Sequence, residues 1–194
     1  MQKKGLTGKD LINVGIYTAI YLAVVFVIGA TNAIPIMYPI SMVIIPLIAG
    51  IPMMLYYTKI EKFGMLTITG AILAIFFYLS GYTWICVAFL LPTALIADII
   101  LKVGGYKKFG VIVISYMIYA LGMLGGPANL WFAGESYWDG IRESMGEQYA
   151  EQLSNYMPSW MLWVGIILVI IGATLGALLG RKMLKKHFVK AGRA

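Results

Sequence analysis

The chain has 194 residues, 61% of them from the apolar set Ala, Val, Ile, Leu, Met, Phe, Trp, Tyr and Cys and only 12% charged, with a mean hydropathy of +0.86. A soluble domain carries about 25% charged and 45–50% apolar residues, so this chain lacks the charge to wet its own surface. That excludes a soluble enzyme, a disordered tail and a nucleic-acid module, and the net charge of +7 needs another explanation than a nucleic-acid partner.

Apolar runs extend over 11–30, 40–57, 64–80, 82–101, 110–132 and 159–180. Each is about 17–23 residues, which at 1.5 Å per residue crosses a hydrocarbon core of roughly 30 Å. They predict an all-α integral membrane protein, a single membrane domain over 1–194 with six transmembrane helices. The first run is longer than the apolar stretch of a secretory signal and precedes no small-x-small cleavage site, so it is read as a retained helix. Along it Gly15, Ala19 and Ala23 recur every four residues, a smooth face that lets another helix approach closely. Spacing alone does not say whether that helix belongs to this chain or to a partner.

The second run carries Pro35, Pro39, Pro46 and Pro52, with Gly50 near the last. Proline inside a helix removes a hydrogen bond and bends it, which a membrane tolerates where protein or a cavity satisfies the freed groups. Two readings stand: a bent helix beside an outward pocket, or a first pair of prolines that only shapes the first loop. Ser80-Gly81-Tyr82-Thr83 makes a tight hairpin between the third and fourth runs. Within the fourth run Asp98 is the one acid deep in a span. An intramembrane carboxylate is a functional candidate by default, yet Lys102, four residues on, offers a simpler account as a local ion pair. Cys86, the single cysteine, leaves no intramolecular disulfide or thiolate cluster and is read as ordinary packing.

The segment 134–158 holds five of the eight acidic residues, and Asp139, Glu143, Glu147 and Glu151 fall every four residues. That predicts an amphipathic segment with its acids on one face and Ile141, Met145, Tyr149 and Tyr156 on another, lying over the outer mouth as a lid, a cation-attracting vestibule or a solvated face. Around that mouth stand Tyr38, Tyr78, Tyr82, Trp84, Trp131 and Tyr137. Asn129, just after Gly125-Gly126-Pro127, adds an amide. Interfacial belts account for aromatics in general, but amide and indole donors converging on a cavity suit a small, partly aromatic ligand.

Charge sets the orientation. Fourteen of the fifteen Lys and Arg fall at the termini or in the even-numbered gaps between runs, against Arg142 alone on the other side. By the positive-inside rule both termini are cytoplasmic. The chemical inventory is thin: His187, in the basic tail, is the only histidine, no paired carboxylates or nucleophile–base pair is visible, and no Gly-rich phosphate loop with Lys is present. No enzyme activity, metal site or cofactor is expected. No inverted repeat relates the two halves, which argues against a large symmetric transporter.

The chain resembles the substrate-binding S components of energy-coupling factor (ECF) transporters, specifically their Trep_Strep, or MptS-type, group. The likeness spans almost the whole length. It rests on Leu6-Thr7-Gly8-Lys9-Asp10-Leu11-Ile12 leading into Gly15-Ile16-Tyr17-Thr18-Ala19, on Lys62-Phe63-Gly64, and on Ser80-Gly81-Tyr82 with Trp84. It continues in Leu95-Ile96-Ala97-Asp98-Ile99-Ile100 and in the ending Leu178-Leu179-Gly180-Arg181-Lys182-Met183-Leu184-Lys185-Lys186-His187-Phe188 with Lys190-Ala191-Gly192. Where relatives often carry histidine after the glycine that ends helix 3, this chain has Tyr82. The resemblance implies an S-component-like six-helix bundle in the bacterial cell membrane that binds a small vitamin-like micronutrient outside. It would dock on a membrane T component driven by two cytosolic ATPases and topple to release its cargo. It further implies that Gly15, Ala19 and Ala23 form the docking face, since Ala19-Ile20-Tyr21-Leu22-Ala23 matches the alanine-xxx-alanine motif of such proteins, and that substrate sits beneath loops 1, 3 and 5. The Met-His amino terminus of nickel and cobalt S components is missing. The alternative is a stand-alone secondary transporter or channel.

Overall fold

A computed structural model describes residues 5–190, with side chains as far as Lys186. Lys3, Lys4, Ala191, Gly192 and Arg193, and the side chains of His187, Phe188 and Lys190, lie outside the described residues. The chain folds as α1 (Gly8–Gly29), a 3-10 turn (Ala30–Ala33), α2 (Met37–Tyr57), α3 (Met65–Leu79), α4 (Trp84–Gly104) and α5 (Phe109–Leu121). A second 3-10 turn (Gly122–Leu124) leads into α6 (Gly125–Phe132), and α7 (Glu135–Met145), α8 (Glu147–Tyr156) and α9 (Met161–Lys190) complete it. Among the described residues five stretches are long and apolar enough to cross a membrane: Gly8–Ala33, Met37–Tyr57, Trp84–Gly104, Phe109–Phe132 and Met161–Lys186. The third predicted span, α3, is apolar but only 15 residues long, roughly 22 Å at 1.5 Å per residue.

The runs predicted from hydropathy mark the helices but not their ends. α1 starts earlier than its apolar stretch because Thr7 and Asp10 cap it: Asp10 Oδ2 accepts the Thr7 N–H and hydroxyl, both at 2.7 Å. The last helix runs ten residues past the predicted stop at Gly180, since Arg, Lys, Met and Leu are good helix formers whether or not they are in lipid.

One end of the bundle gathers the charge. Lys62 Nζ, in the α2–α3 loop, donates to Asp10 Oδ2 at 2.8 Å and to the Gly5 carbonyl at 3.1 Å. Arg181 of α9 lies 4.0 Å from the centre of the Phe109 ring at the start of α5. The expected Asp98–Lys102 pair does not form. Asp98 is fully buried, and its Oδ2 accepts the Gly64 N–H (2.7 Å), the Thr67 N–H (3.1 Å) and the Thr67 hydroxyl (2.8 Å), while Lys102 sits over the Phe63 ring, 4.9 Å from its centre. The first turn of a helix offers unpaired N–H groups and the positive end of its dipole. A carboxylate out of reach of water is held better there than by an exposed ammonium.

A seam of small residues that sequence reasoning passed over joins α2 to α9. A Cβ on Gly176 would lie 2.5 Å from the Pro46 carbonyl oxygen, and one on Gly50 would lie 2.5 Å from the Gly176 carbonyl carbon. Gly172 faces the Val43 carbonyl as closely, and a Cβ on Gly180 would lie 2.9 Å from the Gly50 carbonyl oxygen, so the two backbones touch as small-residue interfaces in lipid allow. Hydroxyls tie the remaining helices: Tyr116 donates to the Pro46 carbonyl at 2.6 Å, Tyr57 and Ser115 share a bond of 3.0 Å, and Ser115 donates to the Ala97 carbonyl at 2.8 Å. Pro46 and Pro52 lie inside α2, Pro39 in its first turn and Pro35 in the loop before it.

The acidic segment is two helices rather than one. Gly146, at φ 91°, breaks it, a conformation that glycine adopts freely. The break divides the predicted stripe of acids between α7 and α8. Arg142 gathers two of them, Asp139 through Nη1 (2.8 Å) and Glu147 through Nε (3.5 Å), together with Glu135 through Nη1 (2.6 Å), which offsets the repulsion expected of like charges. The buried side also differs from the expectation. Ala150, Leu153 and Met157 are buried and Tyr137, Trp138, Ile141 and Tyr149 partly so, whereas Met145 and Tyr156 are exposed.

Candidate functional site

The end opposite the basic residues contains a cavity of about 100 Å³ to which α1, α2, α3, α4 and α9 contribute. Tyr21 and Val25 come from α1, and Asn32 from the turn after it. Tyr38, Ser41, Met42 and Ile45 come from α2, Phe77 from α3, Tyr82 from the α3–α4 loop, Cys86 and Leu90 from α4, and Val169 from α9. The 3-10 turn and the start of α6 close the wall with Met123, Gly126 and Pro127. That wall depends on glycine: a Cβ on Gly122 would meet Thr93 Oγ1 at 2.5 Å, and one on Gly125 would come within 3.0 Å of Cys86. α5 and α6 thus ride close against α4 and carry the turn to the cavity.

The walls are uncharged, with Tyr21, Tyr38, Phe77 and Tyr82 set among aliphatic and small residues, and Phe77 and Tyr82 meet edge to face at 5.5 Å. Ser41 donates its hydroxyl to the Tyr38 carbonyl at 2.7 Å. Asn32 Oδ1 is buried with no hydrogen-bond partner, an uncommon state in a folded protein. The Asn32 backbone carbonyl, by contrast, accepts the Tyr149 hydroxyl of α8 at 2.6 Å. The acidic hairpin is therefore pinned to the same residue that lines the cavity. Burial pushes the phenols of Tyr137 and Tyr149 above the ordinary tyrosine range. Both stay neutral donors at physiological pH.

The residues singled out by sequence divide into three groups. Tyr38 and Tyr82 line the cavity, and Tyr137 is partly buried beside Tyr82. Asn129 and Trp131 hold the scaffold. The Asn129 side chain accepts from the Thr83 N–H and hydroxyl and donates to the Gly125 (2.7 Å) and Gly126 (3.0 Å) carbonyls, while the Trp131 indole donates to the Met157 carbonyl at 2.8 Å. Tyr78 and Trp84 stand on the exterior, 55% and 69% exposed, where an interfacial belt would place them. Tyr21, Asn32, Ser41, Phe77 and Cys86 were missed as lining residues. A signal existed for Asn32, which with Thr31 interrupts an otherwise apolar stretch. None existed for Tyr21 and Phe77, whose inward orientation depends on packing.

Residues 8–190 match a family described as a hypothetical bacterial integral membrane protein, Trep_Strep. The chain belongs to that family. No curated protein and no solved structure matches it. With several apolar helices of spanning length, this Trep_Strep chain is a multi-pass integral membrane protein. Among its described residues no group of three His, Cys, Asp or Glu side chains is placed to hold a metal ion. Gly15, Ala19 and Ala23 share an exposed face of α1, and a Cβ on Gly15 would meet nothing within 4 Å.

Proposed function

We propose that this protein is the substrate-binding component of an ECF-type importer. It has six membrane spans and both termini in the cytoplasm, takes a small vitamin-like solute from outside into the cavity beneath α7–α8, and docks on a transmembrane T component worked by two cytosolic ATPases. The observation that carries the reading is the uncovered small-residue face of α1. In lipid, close helix packing is the main source of association. The chain spends its other small-residue seam, Gly172-Gly176-Gly180, on its own α2, yet leaves Gly15, Ala19 and Ala23 open. The cavity supplies a place for cargo at the far end, and the one basic side chain there, Arg142, is engaged in ion pairs, so little anchors that end to headgroups when the body tilts.

The test is proximity. Ala19→Cys and Ala23→Cys should each cross-link to a T component in cells that carry one, and Ala23→Trp should abolish uptake without loss of ligand binding. Labelling of these positions by lipid alone, in cells with the ATPases present, would sink the reading.

One observation favours a stand-alone transporter or channel: Asp98 Oδ1 is buried without a partner, an unsatisfied oxygen of the kind a coupling ion would use. Uptake that persists without ATPases and is lost in Asp98→Asn would establish it. The three donors on Oδ2 give the carboxylate a structural task that needs no ion.

A further inference from the structure

We infer that the cavity takes an uncharged single-ring compound whose edge presents an adjacent hydrogen-bond donor and acceptor, as in a lactam or carboxamide, paired with the side-chain amide of Asn32. The inference rests on the reading of the cavity as a substrate site and narrows it.

Charge comes first. The lining contains no Lys, Arg, His, Asp or Glu, and the Arg142 guanidinium is engaged on the surface of the hairpin. An ionised ligand would leave water for a place without a counter-charge, a cost that enclosed sites avoid by pairing. Shape comes second. Tyr21, Tyr38, Phe77 and Tyr82 bring four aromatic side chains to a lining otherwise made mostly of aliphatic and small residues, surroundings that suit a planar ring. Size agrees: a cavity of roughly 150 Å³ admits benzene, so about 100 Å³ suits a single ring.

The amide supplies the polar match. Oδ1 of Asn32 is buried and unpartnered, the residue's own carbonyl is taken by Tyr149, and the Ser41 hydroxyl donates to the Tyr38 backbone. An amide can turn to present either its oxygen or its nitrogen, and a ligand edge with both a donor and an acceptor answers either orientation. A bare hydrocarbon ring would leave the amide unpaired.

The full chain in lipid nanodiscs at pH 7 tests this with five probes: nicotinamide and uracil, the ring-matched anions nicotinate and orotate, and toluene. At least one of the two neutral amides should bind 10-fold or more tightly than its anion. Asn32→Ala should weaken that binding at least 10-fold while toluene binding stays within twofold and the melting temperature holds; Asn32→Ser replaces it if the alanine variant melts early. Anions binding as well as amides, amide affinity indifferent to residue 32, or no amide binding at all overturns the inference. Amide binding of the expected kind without ATPase-dependent uptake removes the importer and keeps the ligand class. ATPase-dependent uptake of an anion through this cavity does the reverse.

Discussion

A carboxylate enclosed by helices needs donors, and Asp98 takes all of its three on one oxygen, from Gly64 and Thr67. Removing it strands those donors. Asp98→Ala should cost about 3 kcal/mol, while Asp98→Asn, which keeps one acceptor oxygen, should cost about half as much; thermal unfolding in detergent reads both. A full-strength fold with lost uptake in Asp98→Asn would instead make the residue a working group. Tyr149 carries the second prediction at this scale. Its hydroxyl donates to the Asn32 carbonyl, and burial raises its pKa, so the neutral form is the one the fold favours. That contribution is complete below the unfolded value of about 10 and fades only as pH rises through the higher folded value. Hydrogen exchange in α7–α8, corrected for intrinsic rate, should therefore show the same protection at pH 6 and pH 9. Tyr149→Phe should raise the open population about 10-fold at both, the loss of one hydrogen bond of roughly 1.4 kcal/mol. At the residue scale the sequence was a poor guide to partners. Lys102 is the helical neighbour four residues from Asp98, whereas the true donors lie more than thirty positions away, and two of the three are backbone N–H groups that no side-chain pattern reveals.

Helices were far more legible, because hydropathy over twenty residues averages out such detail. The apolar runs located α1, α2, α4, α9 and the combined α5–α6 stretch, and four-residue spacing identified the smooth face of α1. Which small-residue face is used inside the chain was not legible, since Gly15-Ala19-Ala23 and Gly172-Gly176-Gly180 follow the same rule and only packing separates them. The difference is measurable. Gly176→Ala places a methyl against the Pro46 and Leu47 carbonyl oxygens, at 2.5 and 2.6 Å. Backbone cannot yield as a side chain does, so the substitution should cost about 3 kcal/mol. Gly15→Ala meets open space and should leave stability unchanged or raise it by up to about 1 kcal/mol through helix propensity. Melting curves of the two variants in one detergent make the comparison, and a destabilised Gly15→Ala would mean that α1 packs within the chain after all. The cavity was half legible for the same reason. Tyr38 and Tyr82 stand near loops, where sequence places them, but Tyr21 and Phe77 are aromatic residues among many on apolar helices and gain meaning only from which way their helices turn.

Across the whole molecule the two ends differ in sign. Lys59, Lys62, Lys102, Lys107, Lys108, Arg181, Lys182, Lys185 and Lys186 are carried by the loops and helix ends of one side, and Glu135, Asp139, Glu143, Glu147 and Glu151 by the hairpin of the other. A bilayer turns that difference into an orientation, because basic loops resist translocation and acidic ones contribute little. A membrane-impermeant maleimide should therefore label Glu143→Cys in intact cells and reach Lys186→Cys only after permeabilisation, with little background from buried Cys86. The result bears on more than topology. The cavity lies at the acidic end, so the same labelling pattern puts its mouth where external solute arrives and the α1 face within the bilayer for a partner to meet. Lys186→Cys labelled from outside would place the cavity towards the cytosol, and a protein that binds there cannot capture cargo for import, however well its α1 face packs.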